Sequence, residues 1–127
     1  MMKLNPDCIR DVLLTVEEGC DIKKSVSIPN PNWERLQSYS ESEVLYHVRQ
    51  CDLSGFLYQA KTDLLGVYSI RDLTPAGHEF LANIRKDTIW SGVKDVAGKV
   101  GATSLNAIVQ IASNVVAQMI KHQFGLT

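Results

Sequence analysis

Residues Ser40 to Pro75 read SESEVLYHVRQCDLSGFLYQAKTDLLGVYSIRDLTP, and the order of caps, stripes and breaks within them decides the fold. Ser40 stands three residues before Glu43, the spacing of a capping box: the serine oxygen accepts the Glu43 backbone N–H and the glutamate side chain reaches back. Val44, Leu45, Val48 and Cys51 recur on one helical face and are expected to meet a core. Ser42, Glu43, Tyr46, Arg49 and Gln50 then point outward. Gly55 ends the helix, since glycine enters the left-handed C′ conformation without a Cβ clash. Two short runs follow, Phe56 to Ala60 and Val67 to Leu73, both rich in β-branched, aromatic and leucine residues. The polar segment Lys61 to Gly66 between them suits a hairpin with a loop longer than two residues. Thr74 and Pro75 cap and open the next helix.

A helix, a tight turn, a β-ribbon and another helix form the second half of a winged-helix-like domain, and the flanking sequence supplies the rest. Upstream, Asn5 and Pro6 start a helix that runs to about Glu18 and stops at Gly19, with Ile9, Val12, Leu13 and Val16 inward. Val26 and Ile28 alternate as a short strand before Pro29, Asn30, Pro31 and Asn32 break it. Trp33 to Tyr39 fits either a strand or one helical turn, with Trp33 and Leu36 as core anchors in both cases. A DNA-reading helix-turn-helix needs a supporting helix here. So short a segment leaves that helix stunted or replaced by a strand.

Downstream, Ala76 to Lys86 reads as a helix with Ala76, Phe80, Leu81 and Ile84 inward, and Trp90 as a surface anchor. Val93 to Gly101, edged by Gly92, Gly98 and Gly101, is expected to be a short helix or a flexible connector. Thr103 or Ser104 caps a long final helix with no formal charge before Lys121. Its apolar face comprises Leu105, Ile108, Val109, Ala112, Val115, Val116, Met119 and Ile120, and the interleaved amides argue against membrane insertion. The expected class is therefore α+β: residues 1–90 as a winged-helix-like domain with a small antiparallel hairpin wing, and residues 91–127 as a helical extension. That extension packs on its own domain or on a dimer mate.

With 127 residues, 45% of them hydrophobic, the chain can bury one core of its own but not two full ones. A net charge of −1 gives no global attraction to nucleic acid or to an anionic membrane. Cys8, Cys20 and Cys51 lack metal-ligand spacing and cannot all pair, so they read as reduced thiols of a cytoplasmic protein. The charges and Pro6 within the first nineteen residues argue against a signal peptide. His47, His78 and His122 have no i, i+4 metal-sharing partner, and Ser40, Thr74 and Ser104 are helix caps before they are nucleophiles. No metal, no cofactor and no catalytic residue is expected, and the chain reads as a non-enzyme.

Leu53 to Leu81, LSGFLYQAKTDLLGVYSIRDLTPAGHEFL, resembles the strand, wing, strand and LT-x-x-G helix start of MarR-type winged-helix regulators. More of the chain is similar to a small bacterial and prophage family catalogued only as a domain of unknown function. KLNPDCIRDVLL, YSESEVLYHVRQ, LTPAGHEFLANIRKDTIW and the GATSL before the last helix carry that likeness. The resemblance implies a winged-helix-like fold in a bacterial or phage setting and brings no catalytic residues with it.

Two uses of such a domain are in competition. Tyr46, Arg49, Gln50 and Lys61 are the candidate contacts to DNA or to a protein partner, with Gln50 suited to adenine and Arg49 to guanine. Glu41, Glu43 and Asp52 on the same helix repel phosphate, which favours a protein-covered face over a DNA reader. The expected function is a noncatalytic, self-associating interaction module. Leu105, Ile108, Ala112, Val115, Val116 and Met119 form its oligomer interface, and the last helix, from the same chain or a second copy, covers Tyr46. The alternative is a winged helix-turn-helix transcriptional regulator.

Overall fold

Asn5 begins the first helix as the sequence predicts, its side-chain oxygen accepting the Asp7 N–H at 3.1 Å ahead of Pro6. In the computed structural model, which describes residues 2–125, helix α1 spans Pro6–Gly19 and buries Cys8, Ile9, Val12, Leu13, Thr15 and Val16. Strand β1 (Val26–Ile28) follows, then a single 3₁₀ turn, Glu34–Leu36, and helix α2 (Glu41–Leu53). The ribbon consists of β2 (Leu57–Tyr58), β3 (Lys61–Thr62), β4 (Tyr68–Ile70) and β5 (Asp72–Leu73). Helices α3 (Pro75–Ile84), α4 (Asp87–Val100) and α5 (Leu105–Gln123) complete the chain. The class is α+β, five helices with a small antiparallel sheet and hairpin among the described residues, consistent with a winged-helix-like arrangement.

Chain compactness divides the protein into two units, Met1–His78 and Glu79–Thr127. In the first, β1, β4 and β3 form a three-stranded antiparallel sheet and β2 pairs with β5. The register sets Val26 opposite Ile70, and Ser27 opposite Ser69, which in turn faces Lys61. Alternation does the rest: Val26, Ile28 and Ile70 turn inward and are fully buried, while Ser27, Ser69 and Lys61 share the solvent face. Lys61 and Thr62, expected in the loop, are instead strand β3. The loop is shorter because Asp63 closes it, its carboxylate accepting the Leu65 and Val67 N–H groups at 2.8 and 3.0 Å.

Helix α2 ends in a Schellman motif: Phe56 N–H donates to the Cys51 carbonyl and Gly55 N–H to that of Asp52, with Gly55 at φ +78°. At its start Glu43 N–H donates to Ser40 Oγ at 3.1 Å. The reciprocal bond of the capping box is absent among the described residues. On α3, Ala76 is exposed rather than inward, and the buried position is Gly77. A methyl group at Gly77 would run into the backbone carbonyl of Phe56, so only glycine allows this helix start so close to the end of α2.

The supporting helix is indeed missing, and a polar network holds its substitute in place. Tyr39 donates its hydroxyl to Asp11 at 2.7 Å, and Arg35 lies 3.7 Å from Asp11 and 2.7 Å from Glu18. These bonds tie the 3₁₀ segment to α1, Leu36 is buried beside them, and Trp33 donates its indole N–H to the Ser27 carbonyl at 2.8 Å. Burial pushes the Asp11 carboxyl above its ordinary value, against the opposing pull of Tyr39 and Arg35.

In the second unit the expected weak segment after Trp90 is a full helix. Trp90, Val93 and Ala97 form a buried stripe on α4, Lys99 pairs with Asp95 one turn earlier at 3.1 Å, and Gly101 closes the helix in the left-handed conformation. Each internal glycine costs about 1 kcal/mol relative to alanine, less than burial of a tryptophan and a valine returns. Ser104, not Thr103, caps α5, accepting the Ala107 N–H at 3.1 Å, and α5 packs against α4.

Candidate functional site

Helix α2 and the wing loop line a shallow, open groove of about 460 Å³ within the first unit. Leu45, expected in the core, is only half-buried and lines this groove with Tyr46, Arg49, Asp63, Leu64 and Tyr68. Tyr46 is half-buried there, its ring edge-on to His47 at 5.0 Å between centroids, and Arg49 lies 5.8 Å over its face. Burial, then the Asp52 charge, raises the Tyr68 phenol above its ordinary value, with Arg49 acting in the opposite sense. At the wing tip Leu64 and Leu65 are exposed. The structure thus brings Tyr46 and Arg49 together, whereas Gln50 does not line the groove and Lys61 belongs to the outer face of the sheet.

His47, midway along α2, lies inside the fold with no exposed surface. Its Nε2 accepts the Asn5 backbone N–H at 2.7 Å, so the ring is the neutral tautomer whose Nδ1–H donates to the Glu43 carbonyl, also at 2.7 Å. The imidazole joins the start of α1 to the first turn of α2. Its signal in the sequence was position alone, between Val44 and Val48 on the apolar stripe.

Cys20, Asp72 and His78 meet at the end of the ribbon, and the geometry argues against nucleophilic catalysis. The thiol donates to Asp72 Oδ1 at 3.4 Å and His78 Nε2 reaches that same oxygen at 3.4 Å, so a carboxylate, not an imidazole, contacts the sulfur. Burial, then the hydrogen bond to Asp72, raises the Cys20 thiol to about 11. Burial, then the Glu43 and Asp11 charges, pushes Cys8 up to about 12, and burial raises Cys51 as well. Thiols held protonated are poor nucleophiles and poor metal ligands. No cluster of three His, Cys, Asp or Glu suited to a metal occurs among the described residues.

In the second unit the residues expected at an oligomer interface separate by depth. Leu105, Ile108 and Ala112 are buried, Val115 and Val116 half-buried, and Met119, Ile120 and Phe124 are 46%, 53% and 74% exposed. Helix α5 therefore starts covered and ends bare. No helix among the described residues is long and apolar enough to cross a membrane.

The family described as hypothetical protein (DUF2513) matches residues 3–103. An uncharacterized protein of Haemophilus influenzae is 32% identical over 122 residues, covering 94% of this chain and 99% of its own length. No solved structure matches the chain.

Proposed function

This chain belongs to the DUF2513 family, and we propose that it is a noncatalytic interaction module of a bacterial or prophage cell that self-associates through the bare end of α5. The observation that carries the reading is the run of exposed apolar side chains Met119, Ile120 and Phe124 at the end of a helix whose earlier turns are packed. Water disfavours such a run, and a second copy offers the same apolar face. Burying one large apolar side chain is worth about 1.5–3 kcal/mol when it starts fully exposed. These side chains start part-covered and association has its own entropic cost, so the expected dimer dissociates in the micromolar range or weaker.

Light scattering on the eluting protein across a concentration series tests this. The wild-type chain is expected to gain mass with concentration, and Ile120→Glu to stay monomeric with an unchanged melting temperature. A wild-type monomer at every concentration would refute self-association.

The alternative is a DNA-binding regulator of the winged helix-turn-helix type using Arg49, Gln50 and Lys61. Its support is the order of α2, hairpin and wing, and the exposure of Arg49. Against it stand Glu41, Glu43 and Asp52 on α2, and a 3₁₀ turn where a groove-docking helix needs its support. Gel shifts in a salt series separate the two readings, because phosphate contacts weaken steeply with salt.

A further inference from the structure

We infer that the outer face of the three-stranded sheet in the first unit is a binding site for a phosphate group, a role independent of self-association through α5. The register places Ser27, Ser69 and Lys61 in one exposed row across β1, β4 and β3. Ser25, Gln59 and Arg71 lie just beyond the paired strand ends, beside that row. An open depression of about 350 Å³ lies here, lined by Ser25, Gln59, Lys61, Ser69 and Arg71.

This lining consists of hydrogen-bond donors of the kind that anions need. Arg71 contributes a guanidinium, Lys61 an ammonium, Ser25 and Ser69 hydroxyls 3.4 Å apart, and Gln59 an amide. No carboxylate lines the depression. One guanidinium nitrogen of Arg71 donates to the Ile22 carbonyl at 3.0 Å, which steadies the group and leaves its other N–H donors available. Lys23 and Lys24 stand in the adjoining turn. The opposing charge is Asp21, whose carboxylate is committed to the Lys23 and Lys24 backbone N–H groups at 2.7 Å each. Neither Lys61 nor Arg71 forms a salt bridge among the described residues.

Divergent donors around an open depression suit a group with several acceptor oxygens, and a tetrahedral phosphate offers three or four. An apolar ligand or a metal cation finds nothing here to hold it. A small free anion and the backbone of a nucleic-acid strand both present this chemistry, and the experiment distinguishes them.

Amide chemical shifts of the full chain would be followed while inorganic phosphate, and separately a short single-stranded oligonucleotide, is added against sodium chloride of equal ionic strength. Selective shifts at Ser25, Gln59, Lys61, Ser69 and Arg71 are expected. Saturation by inorganic phosphate identifies a small anion as sufficient, and saturation by the oligonucleotide alone identifies a phosphodiester strand. Lys61→Gln changes an exposed, unpaired side chain and should weaken binding on the order of fivefold without altering the melting temperature. In the oligonucleotide arm it should also reduce the salt dependence by about one contact. The inference is overturned if neither probe exceeds the chloride control, if the shifts centre on Arg49 and Gln50, or if Lys61→Gln binds as the wild type does.

Discussion

Replacing His47 tests whether a neutral imidazole holds the first unit together. His47→Ala removes the acceptor for the Asn5 N–H and the second donor to the Glu43 carbonyl, both at 2.7 Å, and opens a void where no side-chain surface was exposed. The two losses are unequal. Glu43 keeps its place in the α-helical hydrogen-bond ladder, so losing an extra donor costs about 0.5–1 kcal/mol. Asn5 loses the acceptor for a part-buried amide at a helix N-terminus, which costs about 1–3 kcal/mol. With about 1 kcal/mol for the partly collapsed void, the sum is roughly 2.5–5 kcal/mol, a large share of the stability of a small protein.

Two further substitutions separate the bonds. Gln at position 47 carries an oxygen far enough out to replace Nε2, whereas Asn can replace only the Nδ1 donor to Glu43. The expected order of stability in urea unfolding, followed by circular dichroism and tryptophan fluorescence, is wild type, then Gln, then Asn close to Ala. Gln should recover about 1–2 kcal/mol relative to Ala. A cost below about 1 kcal/mol for Ala, or an Asn variant as stable as Gln, would refute the assignment of the Asn5 bond as the dominant one.

Two other perturbations follow from the geometry. Cys8 and Cys20 titrate near 12 and 11 in the fold against an ordinary 9.0, so their contribution to stability is complete below about pH 9 and is lost as pH rises above it. Melting temperatures should fall from pH 9 upward, and a thiol reagent at pH 8 should label buried Cys8 and Cys51 only at the rate of unfolding. Gly77→Ala sets a Cβ against the Phe56 backbone carbonyl and should cost about 2–4 kcal/mol in urea unfolding, with Ala76→Ser, on the exposed side of the same turn, near neutral.

Local grammar made much of the fold legible. Asn5, Ser40, Thr74 and Ser104 occupy the cap positions their side chains suit, and Gly55 closes α2, because caps and stops depend on a few adjacent residues. Long-range choices were not legible in the same way. Nothing near Trp33 tells a reader that Tyr39 and Arg35 will find Asp11 on α1, and that network turns an ambiguous segment into a 3₁₀ turn. The glycines around α4 weaken its local propensity, and only the burial of Trp90, Val93 and Ala97 outweighs them. In the candidate groove, Tyr46 and Arg49 stand together because they are near neighbours on one helix. Lys61 left their company because Asp63 tightened the loop and drew Lys61 into a strand.

That displacement changes what the charge balance of the wing means. Read along the chain, Lys61 and Arg71 are offset by Asp63 and Asp72, and the ribbon looks neutral. In the fold, Asp63 is anchored to the loop backbone, and Asp72 accepts from Cys20, from the Leu73 N–H and from the side of His78. Neither carboxylate pairs with Lys61 or Arg71. The cations are left side by side with two serines on a face whose alternation excludes the apolar residues. Folding, which net charge cannot express, is what separates the signs: Asp63 serves the turn, Asp72 faces Cys20 and His78, and Lys61 and Arg71 remain on the depression. A surface potential that follows the fold predicts that reversing the charge at Lys61 disturbs anion binding while leaving the hairpin folded, whereas removing Asp63 unties the loop without adding affinity.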